Sequence, residues 1–398
     1  MPAVRHGQLV PADTAHRGPR AQLRAAVGRA VRGDHRDGDL LRPPHPRAPG
    51  TGPALRPRPH LRVCVDASTS SVPTVDISGA LAGDPGAMEA AARAIDDACV
   101  ASGFFIVVGH GVPPALVDET MDMARGFFRL PFEEKSRVAP PTFEDYRGFL
   151  GLDTTSLAAT LGDNETPPDL CESFNVGRFD DPAIRARAYV AGAEATFCPN
   201  RWPGEPAGLR PQFEHYYAVL ERLCMQMLPL FARALDLPDG WFDDKVQDHT
   251  ALLLFNWYPP VAGAARPGQL RRGAHTDYGA FTVVAAEQIP GLQIRSNGDW
   301  ADVPMVPDGF VVNLGDLMAR WTNDRWVSTL HRVVIPDGID RGRDRMSVPF
   351  FFQPSYRAVI ETIPTTITPE RPARYEPVVS GEWIAAKSAS MLEDDGDS

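Results

Sequence analysis

A mostly β fold with flanking helices is the class this sequence predicts, and three observations predict it. After Gln247 the chain breaks into short β-branched and aromatic runs at 252–258, 281–285, 291–294, 300–303, 310–313, 329–335, 346–352 and 358–362, punctuated by Gly, Pro and Asp. Before them, Phe213, Tyr216, Leu220, Leu223, Met227, Leu230, Phe231 and Leu235 recur at helical spacing through 209–237. Earlier still, a helical stretch at 87–102 leads into the apolar run Phe104-Phe105-Ile106-Val107-Val108. Helices followed by many turn-bounded strands point to a closed or two-sheet antiparallel β architecture with helices packed against it.

Residues 1–65 contain no Ile, Phe, Tyr, Trp, Ser or Asn and are dominated by Arg, Pro, Ala, Gly and His. Such a composition cannot bury enough apolar surface to offset its ordering entropy, so disorder is expected. A basic arm, a transit peptide and an extension from a start placed too far upstream all fit, and the missing Ser and aromatics favour the extension. A region 70–206 then opens with an alternating strand at 72–78 and the helix at 87–102, stopped by Gly103. Gly109-His110-Gly111-Val112 turns the next strand into a helix beginning at Pro113-Pro114. His110 lies between two glycines, where a His is a turn residue bonding to backbone rather than a ligand.

Long loops with short elements are expected over 139–206, with Asp145-Tyr146-Arg147-Gly148-Phe149 and Glu172-Ser173-Phe174-Asn175 as either substrate-facing or ordinary loop residues. A second region, 207–385, holds the long helix and the strands. Pro229 predicts a kink or a two-helix break in that helix. Residues 386–398 read as a solvated acidic tail.

The net charge of -11 hides an asymmetry, because residues 1–63 hold 12 Arg against 4 Asp with no Lys or Glu. The remainder of the chain is strongly acidic, which argues against nucleic acid as its partner. Five cysteines (Cys64, Cys99, Cys171, Cys198 and Cys224) are scattered without a Cys-x-x-Cys pair, which suits a reducing cytoplasm and gives no zinc or disulfide framework. No apolar run is long enough for a membrane span, and no apolar segment for secretion lies near the N-terminus. A cytoplasmic location with neither nucleic acid nor membrane as partner is expected, the oligomeric state being unspecified.

The chemistry concentrates in Gly273-Ala274-His275-Thr276-Asp277-Tyr278-Gly279. In a strand, His275 and Asp277 would share one face and could converge on one ion. His331, in a second strand-like run, offers a third ligand. Two His and one carboxylate leave the opposite positions of a metal open, as in non-haem Fe(II) oxygenases, whereas zinc prefers a closed set richer in sulfur or nitrogen. Arg345 and Ser347, another i, i+2 pair, lie in the run that ends at Phe352. The Arg345 fork suits a bidentate carboxylate, and Ser347 can donate beside it.

The ordered set His275, Asp277, His331, Arg345 and Ser347 comes after Gly103-Phe104-Phe105, His110-Gly111-Val112, Phe127-Phe128-Arg129-Leu130-Pro131 and Glu133-Glu134-Lys135. Over roughly its last three quarters the chain thus resembles the isopenicillin N synthase-like branch of the Fe(II)/2-oxoglutarate-dependent dioxygenases. The resemblance implies a double-stranded β-helix (jelly roll) core and an Fe(II) centre. It also implies 2-oxoglutarate held by Arg345 and Ser347, and by Asn256 and Tyr258, which match the family's Asn-x-Tyr at the opening of the first barrel strand; packing or strand-end capping is the alternative for that pair. O2 would then be used to hydroxylate or desaturate a small molecule, such as a secondary metabolite, with release of succinate and CO2. A 2-oxoglutarate-independent Fe(II) oxidase and a non-catalytic binding protein on this fold are the alternatives. Arg325, Trp321 and Trp326 line the mouth of the site or pack its rim.

Deleting residues 1–65 should leave the melting temperature and turnover nearly unchanged, since an Arg/Pro-rich segment of this composition contributes few buried contacts. A truncated protein that fails to fold would make the segment part of the domain.

Overall fold

The computed structural model describes residues 72–142, 145–163, 165–261 and 265–389. The 1–65 extension and the last nine residues of the expected acidic tail, 390–398, lie outside the described residues. None of the described helices is long and apolar enough to cross a membrane.

An eight-stranded sheet runs from edge to edge through β1 (Thr74–Asp76), β2 (Phe104–Val108), β10 (Phe310–Leu314), β7 (Phe281–Ala286), β12 (Arg345–Phe352), β5 (Leu252–Tyr258), β4 (Glu172–Gly177) and β3 (Gly148–Leu150). A four-stranded sheet has the order β6 (Arg272–His275), β11 (His331–Val333), β8 (Leu292–Ser296) and β9 (Asp299–Asp302). A short hairpin pairs β13 (Val359–Ile360) with β14 (Val378–Val379). All pairings are antiparallel except β1 on β2. From β5 to β12 the chain crosses between the two larger sheets, staying within one sheet only at the β8–β9 hairpin. That alternation is the jelly roll.

Helices α1 (Pro85–Ala101), α2 (Pro114–Phe128) and α3 (Leu209–Ala234) cover the outer face of the large sheet. Asp84 caps α1 by accepting from the amides of Gly86 and Ala87, and Pro85 occupies its first position. On α3, Phe213 stacks on Phe255 with centroids 3.8 Å apart and Phe231 meets Phe281 edge-on at 5.0 Å. Each such ring contributes about 1.5–3 kcal/mol by leaving water. Pro229 sits inside α3, which continues through it as one 26-residue helix. The apolar contacts on either side hold the helix together despite the lost amide donor.

Several boundaries differ from expectation. His275 closes β6, and Asp277 lies beyond it in the link to β7, so the two do not share a strand face. Asn256-Trp257-Tyr258 ends β5 instead of opening it. Over 139–206, where composition predicts long loops with short elements, β4 is a six-residue strand with every residue buried. Helix α4 (Ser380–Ala389) extends into 386–389, a stretch that composition places in the tail.

Strand β4 is locked to the helical layer by a buried ion pair. Lys135 Nζ donates to Glu172 Oε2 at 2.5 Å and to the carbonyl of Phe128 at 2.9 Å. It also lies 5.1 Å from the Phe149 ring and 5.9 Å from the Trp257 ring. Removing one partner strands the other charge in the interior. Lys135→Met should therefore cost about 3–5 kcal/mol in urea unfolding, with much of it recovered in Lys135→Met combined with Glu172→Leu. A single variant as stable as wild type would show that the pair contributes nothing.

Candidate active site

Strand β11 pairs with β6 so that His331 stands opposite His275. Their ring centroids are 4.3 Å apart. Asp277 reaches both: its Oδ1 lies 3.8 Å from Nε2 of His275 and 3.8 Å from Nε2 of His331. The three ligand atoms all fall within 4.8 Å of one another, and no other group of His, Cys, Asp and Glu among the described residues converges in this way.

The surroundings orient each ligand. Nδ1 of His275 donates to the carbonyl of Gly273 at 2.8 Å, and Nδ1 of His331 donates to that of Thr329 at 3.1 Å. With the proton on Nδ1, each Nε2 keeps a free lone pair toward the centre. Burial, then the neighbouring His331 ring, pushes His275 well below its ordinary value, so it is neutral at pH 7. Asp277 Oδ2 accepts from Thr282 Oγ1 at 2.5 Å and from Asn313 Nδ2 at 2.6 Å, which leaves Oδ1 facing the histidines. Phe104 packs edge-on against His331 at 5.4 Å and shields that side from water.

A second constellation lies on β12 and β5, where Arg345 is in register with Tyr258 and Ser347 with Asn256. Tyr258 Oη and Ser347 Oγ are 3.1 Å apart, and the Arg345 guanidinium lies 5.3 Å from the Tyr258 ring. Arg345 Nε donates to the carbonyl of Ile289 at 3.1 Å, but its Nη1 is buried with no partner. A buried guanidinium with an orphaned donor fits a carboxylate. Asn256 differs, because its oxygen accepts from Arg272 Nη2 at 2.9 Å. Arg272 in turn donates to Asp169 at 3.3 Å and to Thr155 at 3.1 Å.

His110 takes the structural role expected of it: its Nε2 donates to the carbonyl of Asp308 at 2.8 Å, and its ring stacks on Phe310 at 4.1 Å. Trp321 and Trp326 are buried in the main core, while Arg325 and the Trp326 indole both bind Asp96 on α1 at 2.7 Å. They pack and do not line a mouth. Ser173 pairs with Asn256, and Asn175 with Leu254, so both lie on the sheet face that carries Ser347. Arg147 is buried and tied to the backbone of Tyr146 and Thr196 at 3.1 Å each.

Sequence reasoning missed Thr282, Asn313, Arg271 and Arg272. The available signal was a single polar residue inside each apolar run, Phe281-Thr282-Val283-Val284 and Val311-Val312-Asn313-Leu314, and a pair of arginines just before the His275 stretch.

Two family patterns match the chain. The non-haem dioxygenase in morphine synthesis N-terminal family covers residues 72–205, and the 2OG-Fe(II) oxygenase superfamily covers residues 249–354, which include His275, Asp277, His331 and Arg345. The chain belongs to the 2OG-Fe(II) oxygenase superfamily. This oxygenase is 34% identical to validamycin A dioxygenase of Streptomyces hygroscopicus subsp. limoneus over 335 residues, covering 82% of this chain and 88% of that protein. It is 36% identical to the 2-oxoglutarate-dependent dioxygenase citB of Monascus ruber over 301 residues, covering 72% of this chain and 85% of that protein. Among solved structures it resembles a full-length Neurospora crassa protein in complex with alpha-KG and thymine, with a TM-score of 0.71 and 29% identity over 82% of this chain and 99% of that one. The oxygenase is a 2-oxoglutarate-dependent dioxygenase whose cofactor is Fe(II) and whose co-substrates are 2-oxoglutarate and O2.

Asn313→Leu and Thr282→Val remove the donors that turn Asp277 toward the histidines. Each should weaken Fe(II) binding by roughly 10–100-fold while the protein stays folded. Unchanged Fe(II) affinity in both variants would separate these donors from the metal.

Proposed function

We propose that His275, Asp277 and His331 are the Fe(II) ligands of this dioxygenase, and that Arg345 and Ser347, with Tyr258 and Asn256, hold 2-oxoglutarate. The observation that carries the proposal is the convergence of three ligand atoms within 4.8 Å, two on free Nε2 lone pairs and one on a carboxylate whose other oxygen is already bonded. Three protein ligands leave room for exogenous donors.

Arg345 offers its unpaired Nη1 to the distal carboxylate, and the Tyr258–Ser347 hydroxyl pair stands beside it for further hydrogen bonds. Asn256 has its oxygen committed to Arg272, so it would reach the co-substrate through its amide nitrogen. With 2-oxoglutarate and O2, the iron supplies an oxidant for an unactivated C–H bond as the co-substrate becomes succinate and CO2. The protein's part is to keep His275 neutral, to aim both imidazoles, to hold Asp277 by one oxygen, and to exclude water with the Phe104 edge.

The substrate is a small molecule of secondary metabolism, hydroxylated or desaturated. Support comes from relatives whose names state a small-molecule substrate, validamycin A dioxygenase and proline hydroxylase buaE among them, and from the similar Neurospora crassa structure solved with thymine. A cytoplasmic location agrees with Cys99, Cys171, Cys198 and Cys224, which are free thiols.

The test is succinate formation from 2-oxoglutarate by the Fe(II) protein under O2. His275→Ala, Asp277→Ala and His331→Ala should each abolish it and weaken Fe(II) binding at an unchanged melting temperature. Arg345→Leu should retain iron and raise the apparent constant for 2-oxoglutarate roughly thirtyfold to several-thousandfold. Wild-type turnover in any of the ligand variants would remove that residue from the centre.

A further inference from the structure

Two arginines, not one, face the Tyr258 ring. Arg271 immediately precedes β6 and is fully buried. Its guanidinium carbon lies 5.9 Å from the Tyr258 ring centroid, and that of Arg345 lies 5.3 Å from the same point. Arg271 Nη2 donates to the carbonyl of Arg343 at 2.8 Å, two residues before Arg345, which ties the entrance of β6 to the strand bearing Arg345. Its Nε and Nη1 are buried without partners, as is Nη1 of Arg345.

No described carboxylate forms an ion pair with either guanidinium, and Asp344 acts on Arg271 only through space. Asp344 is adjacent in sequence, but its Oδ2 already accepts from Arg125 Nε at 3.1 Å and from the Trp257 indole at 3.1 Å. Burial, with Arg345 beside it, pushes the Arg271 guanidinium below its ordinary value. A guanidinium nevertheless keeps its proton, so two positive charges remain in a low-dielectric wall. With Asp344 committed to Arg125 and Trp257, the unpartnered nitrogens of the pair favour a further anion nearby. One end of β6 carries His275, whereas Arg271 lies just beyond the other, so its charge acts at the end of the barrel away from the three clustered ligands.

We propose that Arg271 is a positioning residue of the co-substrate site, a second cation that acts through Arg345 to favour 2-oxo acids with a distal carboxylate. The proposal rests on the reading of Arg345 given above. It assigns Arg271 a role in choosing between dicarboxylic and monocarboxylic 2-oxo acids. A merely structural role would affect both alike.

The experiment titrates the anaerobic Fe(II) protein with 2-oxoglutarate and with 2-oxopentanoate, which has the same carbon chain without the second carboxylate, following the visible band of the chelate. Arg271→Met should raise the dissociation constant for 2-oxoglutarate roughly ten- to hundredfold, because Arg345 loses the neighbour that holds it and its charge-assisted contact to the distal carboxylate weakens. It should leave 2-oxopentanoate unchanged. Arg271→Lys, which keeps the charge, should recover most of the 2-oxoglutarate affinity and carries the test if the Met variant does not fold. Equal weakening toward both ligands, or none toward either, in a background where Arg345→Leu does lose 2-oxoglutarate would overturn the role of Arg271 alone. An Arg345→Leu variant that binds 2-oxoglutarate as wild type does would overturn the Arg345 assignment, and this proposal with it.

Discussion

The pairing that sets His331 opposite His275 across β11 and β6 is the constraint on which the candidate site depends. It joins residues far apart in the chain through a ladder within the small sheet. The carboxylate comes from the link between β6 and β7, and its far oxygen is anchored by Thr282 on β7 and Asn313 on β10, adjacent strands of the large sheet. His275, Asp277 and His331 therefore sit where the two sheets meet, each oriented by a backbone carbonyl or a neutral donor. Such outer contacts cost little at the moment of metal binding because they are already formed.

The face carrying Arg345 and Ser347 obeys a different rule. The register of β12 on β5 places Arg345 across from Tyr258 and Ser347 across from Asn256. That inner face is polar and charged, while the outer face of the same sheet packs on α1 and α3. Burying Arg271, Arg272 and Arg345 on one side of the barrel is costly unless each is neutralised. Asp169 does this for Arg272, while Nη1 of Arg345 and Nε and Nη1 of Arg271 are buried without a partner. On the outer side, the Lys135–Glu172 pair is the corresponding closed case, with both partners supplied by the protein.

Much of this was legible in the residues. The runs around β5, β7, β10 and β12 are continuous β-branched and aromatic segments, because both faces of those strands are largely buried, and hydropathy finds them. The polar set His275, Asp277, His331, Arg345 and Ser347 stood out because such groups are costly inside apolar strands unless they have work to do there. Strand β4 was hidden for the opposite reason. Ser173 and Asn175 face the polar interior of the barrel, so its alternation looks like that of a loop or an exposed strand.

By itself, then, the sequence determined the strand-forming segments, the long helix and the chemical type of the centre, since each is set by local period or side-chain chemistry. Tertiary structure decided which atoms meet. That Asp277 approaches the histidines from beyond a strand end, that Asn313 holds its second oxygen, and that Arg271 joins Arg345 over one tyrosine ring all depend on sheet register and strand termination. Those are set by the packing of distant segments, and a one-residue slip would turn strand side chains such as Asn313 and Arg345 to the opposite face.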